Sequence, residues 1–223
     1  MTQFQTDLLS DLCRLGIVEV GEFTLKHHEV DINALKSPFK INLKIRDKGP
    51  LIPDAVRAIA AELYALLQSV ELVKKIRIDR IVGVPSGGDP FAKELAILTR
   101  KPLLTLERKI IAGTSRMSCI SKGDFNPGEH ILLIEDVLTR GYSGAEAIVM
   151  LQKAGLVVPI VFAGVDRNQG GARYLNNHFN CGVRSVFSIF SVFERLFATG
   201  LMSQEEIEKN IEYINTQKCD PLG

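Results

Sequence analysis

Charge of either sign is close to balanced in this chain of 223 residues: 27 Lys and Arg stand against 26 Asp and Glu, a formal net charge of +1. Such a chain has no whole-molecule field to draw nucleic acid or a membrane surface, so any anion site must be local. The four cysteines, Cys13, Cys119, Cys181 and Cys219, form no Cys-x-x-Cys pair. That spacing speaks against zinc or a disulfide framework and suits reduced thiols. Also missing are a run of apolar residues long enough to span a bilayer, an N-terminal signal pattern, repeats and low-complexity tracts. The expectation is a soluble, cytoplasmic protein with no membrane partner. Only one short helical segment precedes the main pattern, too little for a helix-turn-helix reader of DNA.

Apolar residues make up 46% of the chain, enough to bury a substantial core as one domain or one domain with a small appendage. The most informative stretch is Ile131 to Ser143. Four aliphatic residues in succession, Ile131 to Ile134, suit a strand buried on both faces of a parallel sheet. Glu135 and Asp136 follow, and two adjacent carboxylates are expected at the carboxyl end of that strand, where open α/β sheets hold their ligands. Next comes a short loop with Thr139, Gly141 and Ser143, and an apolar helical pattern from about Gly144. Backbone N–H groups, hydroxyls and a helix N-terminus then converge as a phosphate cradle.

Elsewhere the pattern alternates strand with helix. Phe4, Leu8, Leu12 and Leu15 have helical spacing before Gly16. Gly21 to Lys26 and Pro38 to Arg46 read as strands outside the main sheet, the second with Phe39, Ile41, Leu43 and Ile45 alternating against Lys40, Asn42, Lys44 and Arg46. His27 and His28, on opposite faces of an extended chain, cannot share a metal ion. A long helix is expected from Pro53, then a strand from Arg80 to Val84 opening into Ser86-Gly87-Gly88, whose paired glycines free backbone N–H groups for an anion. Pro90 to Thr99 reads as a helix, Leu103 to Leu106 as a strand, and 107 to 128 as a long connection that is either functional or disordered. Helix from Ala145, strand 157–165, helix 171–177 and strand 182–188 complete an α/β parallel sheet. Ser191 with Glu194 and Ser203 with Glu206 have capping-box spacing and predict two terminal helices.

The segment from Ile131 to Ser143 resembles the phosphoribosyl diphosphate signature of the type I phosphoribosyltransferases. Gly21-Glu22-Phe23-Thr24-Leu25-Lys26 followed by Ser37-Pro38, and Asp166-Arg167-Asn168-Gln169-Gly170-Gly171, resemble segments of the orotate phosphoribosyltransferases in particular. The resemblance runs from the first helix to about Phe197. It implies the type I phosphoribosyltransferase fold as a single domain over 1–223, with hood segments at about 17–48, a core at about 52–198 and a C-terminal helix at about 203–216.

It also implies Mg²⁺-dependent transfer of the phosphoribosyl group from phosphoribosyl diphosphate to orotate. Glu135 and Asp136 would hold the ribose hydroxyls; Val137, Leu138, Thr139, Arg140, Gly141, Tyr142 and Ser143 would wrap the 5-phosphate; Ser86, Gly87 and Gly88 would meet the diphosphate. Lys26, Phe39, Lys40, Ile41 and Arg167 would hold the base, with Arg167 on its carboxylate. Arg108, Lys109 and Lys122, with Asp136, are the implied catalytic candidates, and the metal would have no direct protein ligand. The 107–128 loop would act across the interface of a homodimer. The chain departs from the family pattern at Arg140 and Tyr142, where small residues are usual, at Ala112 and Thr114, where a lysine and a histidine are usual, and in a longer connection from His27 to Lys36. Transfer to another base, or binding of phosphoribosyl diphosphate without catalysis, are the alternative readings.

Overall fold

The computed structural model describes residues 1–24, 33–111 and 114–217. Helix α1 (Gln3–Arg14) starts at a capping box between Thr2 and Gln5 and stops before Gly16, which takes φ 81°. Strands β1 (Val18–Phe23) and β2 (Ser37–Ile41) pair antiparallel as a separate small sheet, the expected hood. Both strands are displaced from the sequence reading: β1 begins earlier and β2 ends at Ile41. The inward set Phe39, Ile41 and Leu43 is buried as its alternation requires, but Ile45 is exposed and Asn42 is buried. Asn42 is inside because its Nδ2 donates to Glu19 at 2.7 Å while its Oδ1 accepts from the Lys44 N–H, so its polar atoms are satisfied.

Pro at the first position and an apolar face give α2 (Pro53–Lys74). The main sheet follows as β3 (Arg80–Gly83), α3 (Asp89–Thr99), β4 (Leu103–Ile111), β5 (Thr114–Lys122), β6 (His130–Leu138), α4 (Tyr142–Lys153), β7 (Val157–Asp166), α5 (Gly171–Phe179) and β8 (Gly182–Ser188), closed by α6 (Ile189–Ala198) and α7 (Gln204–Thr216). Its strand order is β5-β4-β3-β6-β7-β8, parallel except for β5. One core lies on the face covered by α1, α2, α3, the hood, α6 and α7, and a second under α4 and α5.

Two expectations are corrected here. The 107–128 segment is largely an antiparallel hairpin, β4 running on through Ile111 to pair with Thr114; the β-branched residues of these strands favour that over an open loop. The β6 strand carries both acids near its carboxyl end and runs on to Leu138. Its right-hand neighbour β7 continues to Asp166, whereas β3 ends opposite Ile134, so the last residues of β6 are paired on one edge and open on the other. Finally, α6 is capped by Ser188, whose Oγ accepts from the Ser191 N–H, rather than by Ser191; the box at Ser203 and Glu206 forms as expected.

Candidate active site

Order reverses in the sheet between β3 and β6: the chain leaves β3 toward β4 on one side and leaves β6 toward β7 on the other. A crevice opens at such a point beyond the carboxyl ends of the strands. Two loops face each other across it. After β3, the Val84 N–H donates to the Ile134 carbonyl and the Gly88 N–H to the Val84 carbonyl, a tight turn that leaves the Ser86 and Gly87 N–H groups without a partner among the described residues. A side chain at Gly87 would collide with the Asp136 carboxylate, and one at Gly88 with the Ile134 carbonyl. Glycine is therefore required for the loop to sit against the acid.

Asp136 and Glu135, as neighbours on a strand, leave it on opposite faces. Asp136 turns to the Gly87 loop and Glu135 to the first turn of α4, where a Cβ on Gly144 would stand 3.3 Å from its Oε2. Burial holds the Asp136 carboxyl above its usual range, against the opposing pull of the Val137 and Asp136 N–H groups and of Lys44. Lys44 was not singled out in the sequence, because it reads as one wet position of an alternating strand.

The loop between β6 and α4 ends at Gly141, in the left-handed region at φ 78°, and no side chain caps the helix N-terminus that follows. Uncapped N–H groups there form an anion site. The loop is locked from behind: the Gly171 N–H donates to the Thr139 carbonyl at 3.1 Å, and a Cβ on Gly171 would lie 2.6 Å from that oxygen. Tyr142 does not fill the cradle. Its ring meets Tyr174 edge-on at 5.8 Å and lines a groove of about 1050 Å³ between β5, α4 and α5, on the far side from Asp136. Arg140 likewise turns away, donating from Nη2 to Gln217 Oε1 at 2.9 Å.

On the other side of β6 stands Arg167, 2% exposed, at the end of β7. Its N–H is held by the Leu138 carbonyl, its Nη2 donates to Ser37 Oγ at 2.9 Å, and its guanidinium lies 4.2 Å from the centre of the Phe39 ring. No carboxylate pairs with it among the described residues, and burial draws its pKa down to about 10. A buried guanidinium without a counter-charge has the shape and charge to receive a planar anion. Ser37, fully buried and paired with it, belongs to the same pocket. Phe39 forms the floor, Ile41 is core, and the Lys40 ammonium is directed to Glu19 and the Phe23 ring instead. Lys26 lies outside the described residues.

Arg108 is brought to the crevice. Its Nε donates to the Pro85 carbonyl at 3.2 Å and its Nη2 to Glu146 on α4 at 2.9 Å, while Arg116 takes the other Glu146 oxygen at 3.1 Å. Lys109 is exposed near Glu107. Lys122 is exposed on the edge strand opposite Thr105. Three strand spacings separate it from β6, about 14 Å, so it does not join this crevice. No cluster of three or more metal-ligating side chains occurs among the described residues, and none of their helices is long and apolar enough to cross a membrane.

No protein-family model matches the chain. Among curated proteins it is 31% identical over 170 residues to the orotate phosphoribosyltransferase of Thermococcus gammatolerans, covering 76% of this chain and 82% of that protein. To the orotate phosphoribosyltransferase of Pyrobaculum islandicum it is 28% identical over 213 residues, covering 95% of this chain and all of that one. Among solved structures, the orotate phosphoribosyltransferase of Aeropyrum pernix superposes with a TM-score of 0.64 at 25% identity over 85% of this chain and 98% of its own. The UMP synthase of Leishmania donovani reaches a TM-score of 0.76 at 23% identity over 95% of this chain, which spans only 42% of that larger one. The last likeness is one of fold.

Proposed function

This chain belongs to the orotate phosphoribosyltransferase family, and from that premise we infer that it transfers the phosphoribosyl group of phosphoribosyl diphosphate to orotate, giving orotidine 5'-monophosphate and diphosphate. The observation that carries the base assignment is Arg167: a buried guanidinium above Phe39, unpaired with any carboxylate among the described residues, suits the carboxylate that distinguishes orotate from uracil. Each remaining part of the donor has a matching part of the crevice. The 5-phosphate takes the Thr139 to Ser143 loop and the uncapped start of α4; the ribose hydroxyls take Asp136, while Glu135 on the opposite face of β6 backs the first turn of α4; the diphosphate takes the Ser86 and Gly87 N–H groups with Arg108 beside them.

In the reaction the bond between the sugar carbon and the diphosphate oxygen breaks and one to the base nitrogen forms. Positive charge grows on the ribose ring while negative charge grows on the leaving group. Donors fixed in advance at the diphosphate stabilise the second change, and they do so without reorganising during the step. Arg108 is held there by the Pro85 carbonyl and Glu146. The Asp136 carboxylate lies on the sugar side, where a negative group stabilises the first change.

Mg²⁺ fits this donor set. Substrate oxygens and water would fill the ion's positions without a direct protein ligand, with the Asp136 carboxylate nearby, and bound there it would neutralise diphosphate charge. Lys26 and Lys109 are proposed as further cations of the site, and a homodimer as the functional unit. The free thiols Cys13, Cys119 and Cys181 support a reducing, cytoplasmic setting. The decisive experiment is an assay of the purified protein for orotidine monophosphate with orotate and uracil offered in parallel. Formation from orotate alone is expected. Equal use of uracil would overturn the base assignment, and tight donor binding with no turnover would make the protein a sensor.

A further inference from the structure

The Arg167 and Phe39 pair has a neighbour that the reading above leaves unused. Helix α7 lays Tyr213 against the pair: the residue is 4% exposed, and its hydroxyl is buried with no hydrogen-bond partner among the described residues. Burying a phenol unpaired is costly, so such a group calls for an explanation. The Tyr213 ring meets the Phe39 ring edge-on, with centroids 6.2 Å apart, and the Arg167 guanidinium sits 4.2 Å from the centre of that same Phe39 ring. Arg167 is incompletely satisfied too, since its Nε has no partner among the described residues. Two buried donors thus flank one aromatic ring, and the acceptor they need is absent from the described residues. A two-oxygen anion complements both.

We propose that Tyr213 is a second specificity-determining residue for the base, its hydroxyl donating to the carboxylate that Arg167 holds. This rests on the reading of Arg167 as the carboxylate contact. One helical turn beyond Tyr213, Gln217 receives the Arg140 side chain at 2.9 Å, so α7 is pinned to the phosphoribosyl loop close to where it closes the pocket. The arrangement also gives Arg140 a purpose: an arginine in place of a small residue reaches out of the cradle and fixes the helix that carries Tyr213.

The test is steady-state kinetics of the full chain carrying Tyr213→Phe, which keeps the ring and removes the donor, with Arg167→Lys alongside. A lost hydrogen bond to a charged group predicts an orotate KM raised about tenfold, with the KM for phosphoribosyl diphosphate changed less than about twofold on the same argument. The melting temperature should not fall, since the removed hydroxyl has no partner among the described residues to lose. An unchanged orotate KM in Tyr213→Phe, with the rise present in Arg167→Lys, overturns the role of Tyr213 and leaves Arg167 standing. No rise in either variant takes down the carboxylate pocket itself. A lower melting temperature with both constants altered together makes Tyr213 scaffold, which also overturns the proposal.

Discussion

Two residues show how the site opposes the stability of its own fold. Asp136 is pushed above the ordinary carboxylate range by burial, so the folded protein holds its proton more tightly than the unfolded chain does. The cost of ionising it is absent below the unfolded pKa and is fully present once the pH has risen past the folded one. Asp136→Asn is therefore expected to raise the melting temperature of the ligand-free protein at neutral pH, with the gain shrinking as the pH falls into the acid range, while titration calorimetry shows weakened phosphoribosyl diphosphate binding. A variant less stable at pH 7 would contradict this account. Arg167 makes the complementary case. Replacing its planar fork with an ammonium, Arg167→Lys, removes a bidentate contact of roughly 1.5 to 3 kcal/mol, which predicts an orotate KM raised about tenfold to a hundredfold and a donor KM left nearly alone. An equal rise in both constants would mean that Arg167 supports the fold of the crevice instead.

At the scale of the element, the β4–β5 hairpin is the part whose attachment to the rest is most specific. Glu146 on α4 receives Arg108 and Arg116 together, one on each strand, at 2.9 and 3.1 Å. The Arg108 pair is mostly buried, so removing the carboxylate strands a guanidinium next to the diphosphate loop. Glu146→Ala is expected to cost about 1 to 3 kcal/mol. The loss should appear in hydrogen exchange as faster opening of the hairpin amides, with those of β6 and β7 protected as before. Uniform loss of protection would place Glu146 in the global fold rather than in the hairpin's tether. The opposite element, α4, needs no such tether. Its N-terminus is left uncapped, and the glycine contact between the loops at Gly141 and Gly171 fixes its position.

For the whole molecule, the topology of the sheet decides where chemistry occurs, because only between β3 and β6 do two loops diverge and leave room for a ligand. Lys122, three strands away, then has no route into its own crevice, and Lys109 is exposed on the projecting hairpin. That arrangement favours a hairpin serving a second copy, and it makes a clean test. Asp136→Asn and Lys109→Ala, each expected to be strongly impaired alone, should complement when mixed after unfolding and refolding. Half the dimers are then hybrid with one intact site each, so activity should recover to about a quarter of wild type. Mixing without recovery would confine each site to one chain.

Sequence by itself determined the α/β alternation and the strand ends at which Asp136 and Arg167 stand, because strand hydrophobicity, glycine and adjacent charges act over a few residues and leave a local mark. The hairpin was misread as an open loop because its Gly, Ser and Lys content outweighed the β-branched residues of its strands. Other features had no local mark to read. Ser37 and Tyr213 meet Arg167 across more than a hundred and across nearly fifty positions of chain, and neither stands in a motif. Glu146 reads as one charged position on a helix, and Lys44 as one wet position on a strand. Tertiary packing alone decided which of these side chains meet, and that Tyr142 and Arg140 turn to Tyr174 and Gln217, since which buried groups share a desolvated space is fixed only when the layers close.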